Sequence, residues 1–203
     1  WNGFNLPEVY VDDLKTEASY ELLFVGRIIP SKNLHVIIDC LEDLSKNFNI
    51  NLRLNVLGRV ETGHENYYKN IKSKVNSSKN LSTHILFHGE VKNPYDYYKR
   101  SSVLILLSEF EGLPNVVCEA LAHGCLIIAS NISDLNDLVG SDRGFILPEI
   151  SSHALCEAIN AYLSIDEDRK RKMRRSAINF SYKHLGIASA TASYWRLLQE
   201  VSQ

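Results

Sequence analysis

The 203-residue chain carries 22 Lys and Arg against 24 Asp and Glu, and 45% of its residues are hydrophobic. That balance is ordinary for a globular domain and offers no basic field to draw nucleic acid. No apolar run approaches the roughly 20 residues of a membrane-spanning helix, and the length suits one hydrophobic core with at most a helical extension.

From Glu21 onwards short apolar runs alternate with amphipathic ones, the pattern of a parallel α/β sheet. Residues 22–25 read as a buried strand stopped by Gly26, and 33–46 carry Leu34, Ile37, Ile38, Leu41 and Leu44 at helical spacing. Residues 52–57 alternate as a strand that ends at Gly58, and a polar stretch through Gly63 leads to a helix over 66–75. A third strand over 85–87 runs into Gly89, and a short helix over 95–100 precedes a fourth strand over 103–106. A turn at 108–114 opens a helix over 115–122, two further strands follow at 126–129 and 144–147, and the chain from Ser152 on reads as helical. The expected fold is a Rossmann-like, doubly wound parallel sheet of about six strands, with helices on both faces and a helical C-terminal extension.

Cys40, Cys118, Cys125 and Cys156 are widely spaced in apolar or helical contexts and form no Cys-x-x-Cys pair. They read as reduced, buried side chains rather than metal ligands. In a doubly wound sheet, ligands collect at the C-terminal ends of the strands, where helix N-termini point into the crevice. Gly26, Gly58, Gly89 and the Glu111-Gly112 turn all follow strands and therefore fall on that one rim.

Two constellations on the rim carry chemistry. Gly26-Arg27, with Lys32 five residues beyond Arg27, sets two cations in one loop. Arg27 can grip phosphate oxygens as a fork and Lys32 adds a mobile point charge; taken alone, they read more readily as a surface Arg and a helix-capping Lys. Glu111 and Glu119 straddle a loop-to-helix junction, with Pro114 suited to the first helical turn and the amides around 113–116 open to an anion. Glu119, flanked by Val116, Val117, Cys118, Ala120 and Leu121, requires a partner in such apolar surroundings. Both carboxylates could equally serve the helix dipole alone.

The strand-Gly26-Arg27-x-x-Pro30-x-Lys32 segment resembles family 4 of the retaining glycosyltransferases with the GT-B fold. So do Ser108-Glu-Phe-Glu-Gly-Leu-Pro-Asn-Val-Val-Cys-Glu-Ala-Leu-Ala-His-Gly124 and the Leu126-Ile-Ile-Ala that follows. The likeness covers roughly residues 2–194. It implies the C-terminal, donor-binding half of a two-domain enzyme: a linker over 1–20, a donor-binding domain over 21–180, and a helix over 181–203 packing back toward the interdomain side. The start, Trp1-Asn2-Gly3-Phe4-Asn5, reads as the interior of a longer chain, beyond a separate acceptor-binding domain.

The resemblance further implies that Arg27 and Lys32 hold the donor diphosphate and replace a divalent metal, so no metal is expected. Glu119 would bind ribose and Glu111 the transferred sugar, with Gly112, Leu113, Pro114 and Asn115 meeting sugar and phosphates. Gly89, Glu90 and Val91 would meet the base, with Gly26 and Gly58 along the same rim. The donor implied is a nucleoside-diphosphate sugar, a UDP-sugar ahead of a GDP-sugar. The acceptor implied is a glycan or lipid-linked glycan of cell-surface polysaccharide synthesis. The setting would be cytoplasmic, at the inner face of the membrane if the association is peripheral. Three positions depart from the common pattern: Asn33 and Arg59 where glycine is frequent, and Ser133-Asp134 for a Gly-Gly pair.

A binding module that needs a separate acceptor-domain partner, or a GT-B epimerase or phosphorylase, are the competing readings. A dinucleotide-dependent oxidoreductase is disfavoured because Gly26-Arg27-Ile28 stands where a Gly-x-Gly-x-x-Gly would follow the first strand. The run Arg169-Lys-Arg-Lys-Met-Arg-Arg175, preceded by Asp166, Glu167 and Asp168 at a helix start, reads as a solvated helix face in preference to an anionic-lipid contact. His123 reads as a helix C-terminal residue.

Overall fold

The computed structural model describes residues 6, 20–47, 52–132, 134–187, 191 and 195. The linker expected over 1–20, Ser133, and the C-terminal helix expected over 181–203 lie largely outside these. The strands are β1 (Tyr20–Val25), β2 (Leu52–Leu57), β3 (Ile85–Gly89), β4 (Val103–Leu106), β5 (Leu126–Ser130) and β6 (Gly144–Leu147). The helices are α1 (Leu34–Asn47), α2 (Glu65–Ser77), α3 (Lys79–His84), α4 (Tyr95–Arg100), α5 (Asn115–Ala122), α6 (Leu135–Val139), α7 (Ser152–Leu163) and α8 (Glu167–His184).

All six strands are parallel, in the order β3-β2-β1-β4-β5-β6. Side chains alternate between the two faces of each strand, and this parity divides the interior. Leu22, Phe24, Leu54, Val56, Val103, Ile105, Leu126 and Ile128 pack under α1, α2, α3 and α7. Leu23, Leu57, Leu104, Leu106, Ile127 and Ala129 pack under α4, α5 and α6 on the opposite face, which α8 joins through Ala177. β4 and β5 are buried at every position because both of their faces are covered. The doubly wound expectation therefore holds.

Two elements were not expected: α3 and α6, of 6 and 5 residues, are too short to show a helical period. The C-terminal helical reading divides in two, because Ser164 closes α7 and the Asp166 side chain accepts from the Arg169 amide to start α8. The basic run also departs from a purely solvated face. Lys170 and Arg174 are 1% and 7% exposed, and Lys170 Nζ lies 4.7 Å from the Tyr20 ring centroid and 5.0 Å from that of Tyr162. It donates to Glu167 Oε1 at 2.9 Å and to the Tyr20 hydroxyl at 3.2 Å. The alkyl stem is thus part of the core, with its charge answered locally.

Candidate functional site

β1 and β4 are hydrogen-bonded neighbours whose following connections lead to opposite faces, α1 on one and α5 on the other. The crevice of such a sheet opens at this divergence. Two loops line it, 26–33 and 107–114. A turn of 3-10 helix, Pro30–Lys32, closes the first, and Asn33 takes the left-handed conformation at φ 52°. This accounts for asparagine where glycine is frequent: it is among the few side-chain-bearing residues that enter this region readily. Asn33 Nδ2 also donates to the Leu107 carbonyl at 2.9 Å, and the Glu109 amide donates to the Ser31 carbonyl at 3.1 Å, so the loops are tied together.

Between them sits a compact polar cluster. Lys32 Nζ donates to Glu111 Oε1 and, at 3.2 Å, to Ser108 Oγ, which itself donates to Glu111 Oε1 at 2.8 Å. Only 15% of the Lys32 and 19% of the Glu111 side chain is exposed, so the pair acts in reduced dielectric. Ser130 Oγ, at the end of β5, fixes the Ser108 carbonyl at 2.7 Å. Beside this cluster the ring of Phe110 projects into solvent, 82% exposed.

A cleft of about 360 Å³ opens beyond the ends of β1, β2 and β3. Val25, Gly26 and Arg27 form one wall, Leu57, Gly58 and Arg59 a second, and Glu90, Val91 and Pro94 a third. Gly58 is obligatory there: its φ is 147°, and a Cβ would lie 1.7 Å from the Gly26 carbonyl oxygen. Its amide donates to the Gly89 carbonyl at 2.7 Å, which holds the three strand ends in one rim. Past the strands, the Ile28 amide donates to the Arg59 carbonyl at 2.9 Å and Ile28 pairs with Val60. Arg27 thereby meets Glu61, with Nη1 donating to both carboxylate oxygens at 2.9 and 2.8 Å.

Pro114 is the residue before α5 rather than within its first turn, with φ −76° and ψ 96°. The first intrahelical bond runs from the Val117 amide to the Pro114 carbonyl, so the amides of Asn115 and Val116 precede the helical ladder. Glu119 has the partner that its apolar flanks require: the hydroxyl of Tyr98, fully buried on α4, donates to Oε2 at 2.8 Å. Burial, then the Glu119 charge, pushes the Tyr98 phenol far above its ordinary range. His123 ends α5 as read, with Nδ1 2.7 Å from the Glu119 carbonyl oxygen, and burial lowers its pKa.

The residues singled out in the sequence therefore fall into three groups: Arg27, Gly26, Gly58, Glu90 and Val91 around the cleft, Lys32 with Glu111 in the loop cluster, and Glu119 on α5. Gly89 joins the first group through Gly58, while Gly112, Leu113, Pro114 and Asn115 connect Glu111 to the helix. The sequence reading missed Glu61, Ser108 and Tyr98 as partners; Ser108 alone was within the quoted motif. The cysteines are thiols, with Cys40, Cys118 and Cys125 buried and Cys156 partly so. Among the described residues, no group of three or more His, Cys, Asp or Glu side chains is placed to hold a metal ion.

Residues 11–180 match the family described as glycosyl transferases, group 1. The chain is 34% identical over 138 residues to the capsular polysaccharide biosynthesis glycosyltransferase CapH of Staphylococcus aureus, covering 68% of this chain and 37% of the relative. It is 26% identical to an undecaprenol-glycan α-1,4-N-acetyl-D-galactosaminyltransferase of Campylobacter jejuni, covering 96% of this chain and 53% of that protein. Among solved structures, HepE of Anabaena in complex with UDP and glucose superposes with a TM-score of 0.80 at 17% identity, over 98% of this chain and 56% of that one. The C-terminal domain of LpcC, a group 1 family protein of Francisella tularensis, superposes with a TM-score of 0.74 at 19% identity, over 91% and 96% of the two chains. The sheet is thus that of the GT-B structures, and the chain spans from about a third to about half of the length of its curated relatives.

Proposed function

The chain belongs to the group 1 glycosyl transferases, and from that premise we propose that it is the donor-binding part of a retaining glycosyltransferase. The reaction proposed transfers a hexosyl-type sugar from a nucleoside-diphosphate sugar, a UDP-sugar first, to a glycan or lipid-linked acceptor in cell-surface polysaccharide synthesis. The observation that carries this reading is the convergence of Arg27, Gly58, Glu90 and Val91 on one cleft beside the Lys32–Glu111 loop cluster. The relatives' names and the UDP bound by HepE support it.

In this reading the donor lies across the strand ends with its base against the backbone at 89–91. Tyr98 engages Glu119 Oε2, and we assign Oε1 to the ribose hydroxyls. Departure of the nucleoside diphosphate develops negative charge, which Arg27, Lys32 and the leading amides of α5 would stabilise. Glu111, held by Lys32 and Ser108, would contact the transferred sugar. These cations take the role a divalent metal could fill. The acceptor would be presented by a further acceptor-binding part, on the cytoplasmic side of a membrane where it is lipid-linked. No helix among the described residues is long and apolar enough to cross a membrane.

Calorimetric titration of the chain with UDP, GDP and ADP, with and without EDTA, tests the reading. UDP should bind with the same affinity in EDTA. Arg27→Ala and Glu119→Ala should each weaken it about 10- to 100-fold, since hydrogen bonds to charged groups contribute about 1.5–3 kcal/mol. A folded chain that binds none of the three, or binds only with added metal, would overturn it.

A further inference from the structure

Arg27 is shared. The guanidinium assigned to the donor diphosphate already holds both oxygens of Glu61 through Nη1. The pair is open to solvent, with 53% of the Arg27 and 35% of the Glu61 side chain exposed. An ion pair this exposed adds little to stability. Nor do the two loops need it as a brace. They are already joined by the Gly26 amide to the Leu57 carbonyl at 3.0 Å, the Ile28 amide to the Arg59 carbonyl at 2.9 Å, and the Ile28–Val60 pairing. What the Glu61 carboxylate does contribute is a negative charge at a position where a diphosphate would seek the same donor atoms.

We infer that Glu61 is a competing counter-ion that limits the affinity of the diphosphate for Arg27 and hastens its release. The inference rests on the donor-site reading. A diphosphate reaching Arg27 displaces a carboxylate that is cheaply displaced, and Glu61 reclaims the guanidinium as the nucleoside diphosphate departs. Affinity differences of this kind appear mainly in the dissociation rate. No bond is made or broken in the exchange, and Arg27 keeps a counter-charge throughout. Arg59, on the neighbouring wall of the cleft, is not engaged in this exchange and provides an internal comparison.

The test is a double-mutant cycle on Glu61→Gln, Arg27→Ala and the double variant, titrated with inorganic pyrophosphate and with UDP and followed by stopped flow for dissociation. Glu61→Gln keeps the size of the side chain and removes its charge, and it should melt with the wild type. It should bind both probes about two- to fivefold more tightly, with slower dissociation, and the gain should shrink as salt screens the pair. In the Arg27→Ala background the same substitution should give no gain. An equal gain in both backgrounds would show general repulsion instead of competition for Arg27. No gain, or a loss, in Glu61→Gln would also overturn the inference, while leaving the donor site standing if Arg27→Ala still weakens UDP. If wild-type chain binds neither probe, the donor-site reading and this inference fall together.

Discussion

Tyr98 is the residue on which the ribose assignment turns. Its ring lies 5.5 Å from the imidazole of His123, and its hydroxyl sets one oxygen of Glu119 from beneath. Tyr98→Phe should therefore weaken UDP roughly five- to tenfold, less than the loss of a direct hydrogen bond to a charged group because Tyr98 acts only through Glu119, while leaving inorganic pyrophosphate unchanged because it carries no ribose. Parallel titrations decide it: an equal loss for both ligands would make Tyr98 a purely structural residue. Tyr98 was not legible in the sequence as Glu119's partner, although the need for a partner was. Twenty-one positions separate the two, and no local spacing relates α4 to α5. Glu61 escaped for the same reason, lying 34 positions from Arg27 and meeting it only because the loops continue the parallel pairing of β1 and β2. By contrast Gly26 and Gly58 each follow a strand directly and Gly89 ends one, and that alone places them on the rim.

At the scale of elements, strands were readable because each is a short apolar run ended by glycine or a polar turn. The helix start at Asp166-Glu167-Asp168 was readable too, and Asp166 is the N-cap of α8, whereas the close of α7 just before it leaves little trace in hydrophobic period. The start of α8 is better understood through Lys170, which looks like one member of a basic run yet fills space between Tyr20 and Tyr162. Lys170→Ala should cost about 2–4 kcal/mol in urea unfolding through lost packing and cation–π contact. Lys170→Met should recover most of that by restoring volume. Arg171→Ala, at a half-exposed side chain, should stay within about 0.5 kcal/mol. Equal losses for the Lys170→Ala and Arg171→Ala variants would return the run to the solvated face expected of it.

For the molecule as a whole, α4 covers a face in which two imidazoles titrate with the fold. His88 stands 2.8 Å from Asn55 Oδ1 and 3.1 Å from the Tyr97 hydroxyl, and burial, then the Arg100 charge, lowers its pKa. Burial likewise lowers that of His123, outweighing the opposing pull of the Glu119 carbonyl. For both, the unfolded chain binds a proton more readily than the folded one. The stabilisation is therefore whole above the ordinary histidine pKa of about 6.5 and is lost as pH falls from there through the lowered folded values. The melting temperature should accordingly drop between pH 7.5 and 5.5, and His123→Gln should reduce the drop; a pH-independent melt over that window would contradict it. The sheet's class was evident from alternating runs, but its strand order was not, since β1 could have been flanked by any two of its parallel partners.

That order has a temporal consequence. β1 is central, with β2 on one side and β4 on the other, and Lys32 meets Glu111 across 79 positions of chain. At synthesis rates of about 5–20 residues per second, roughly 4–16 s separate the emergence of those two side chains. Closing so long a loop precedes any reward from the contacts it permits. During that interval β1 and β2 can already pair, and the wall bearing Arg27 and Gly58 can exist without Glu111 or α5. A nascent chain would therefore form the edge proposed to bind the anion well before the cluster proposed to contact the sugar.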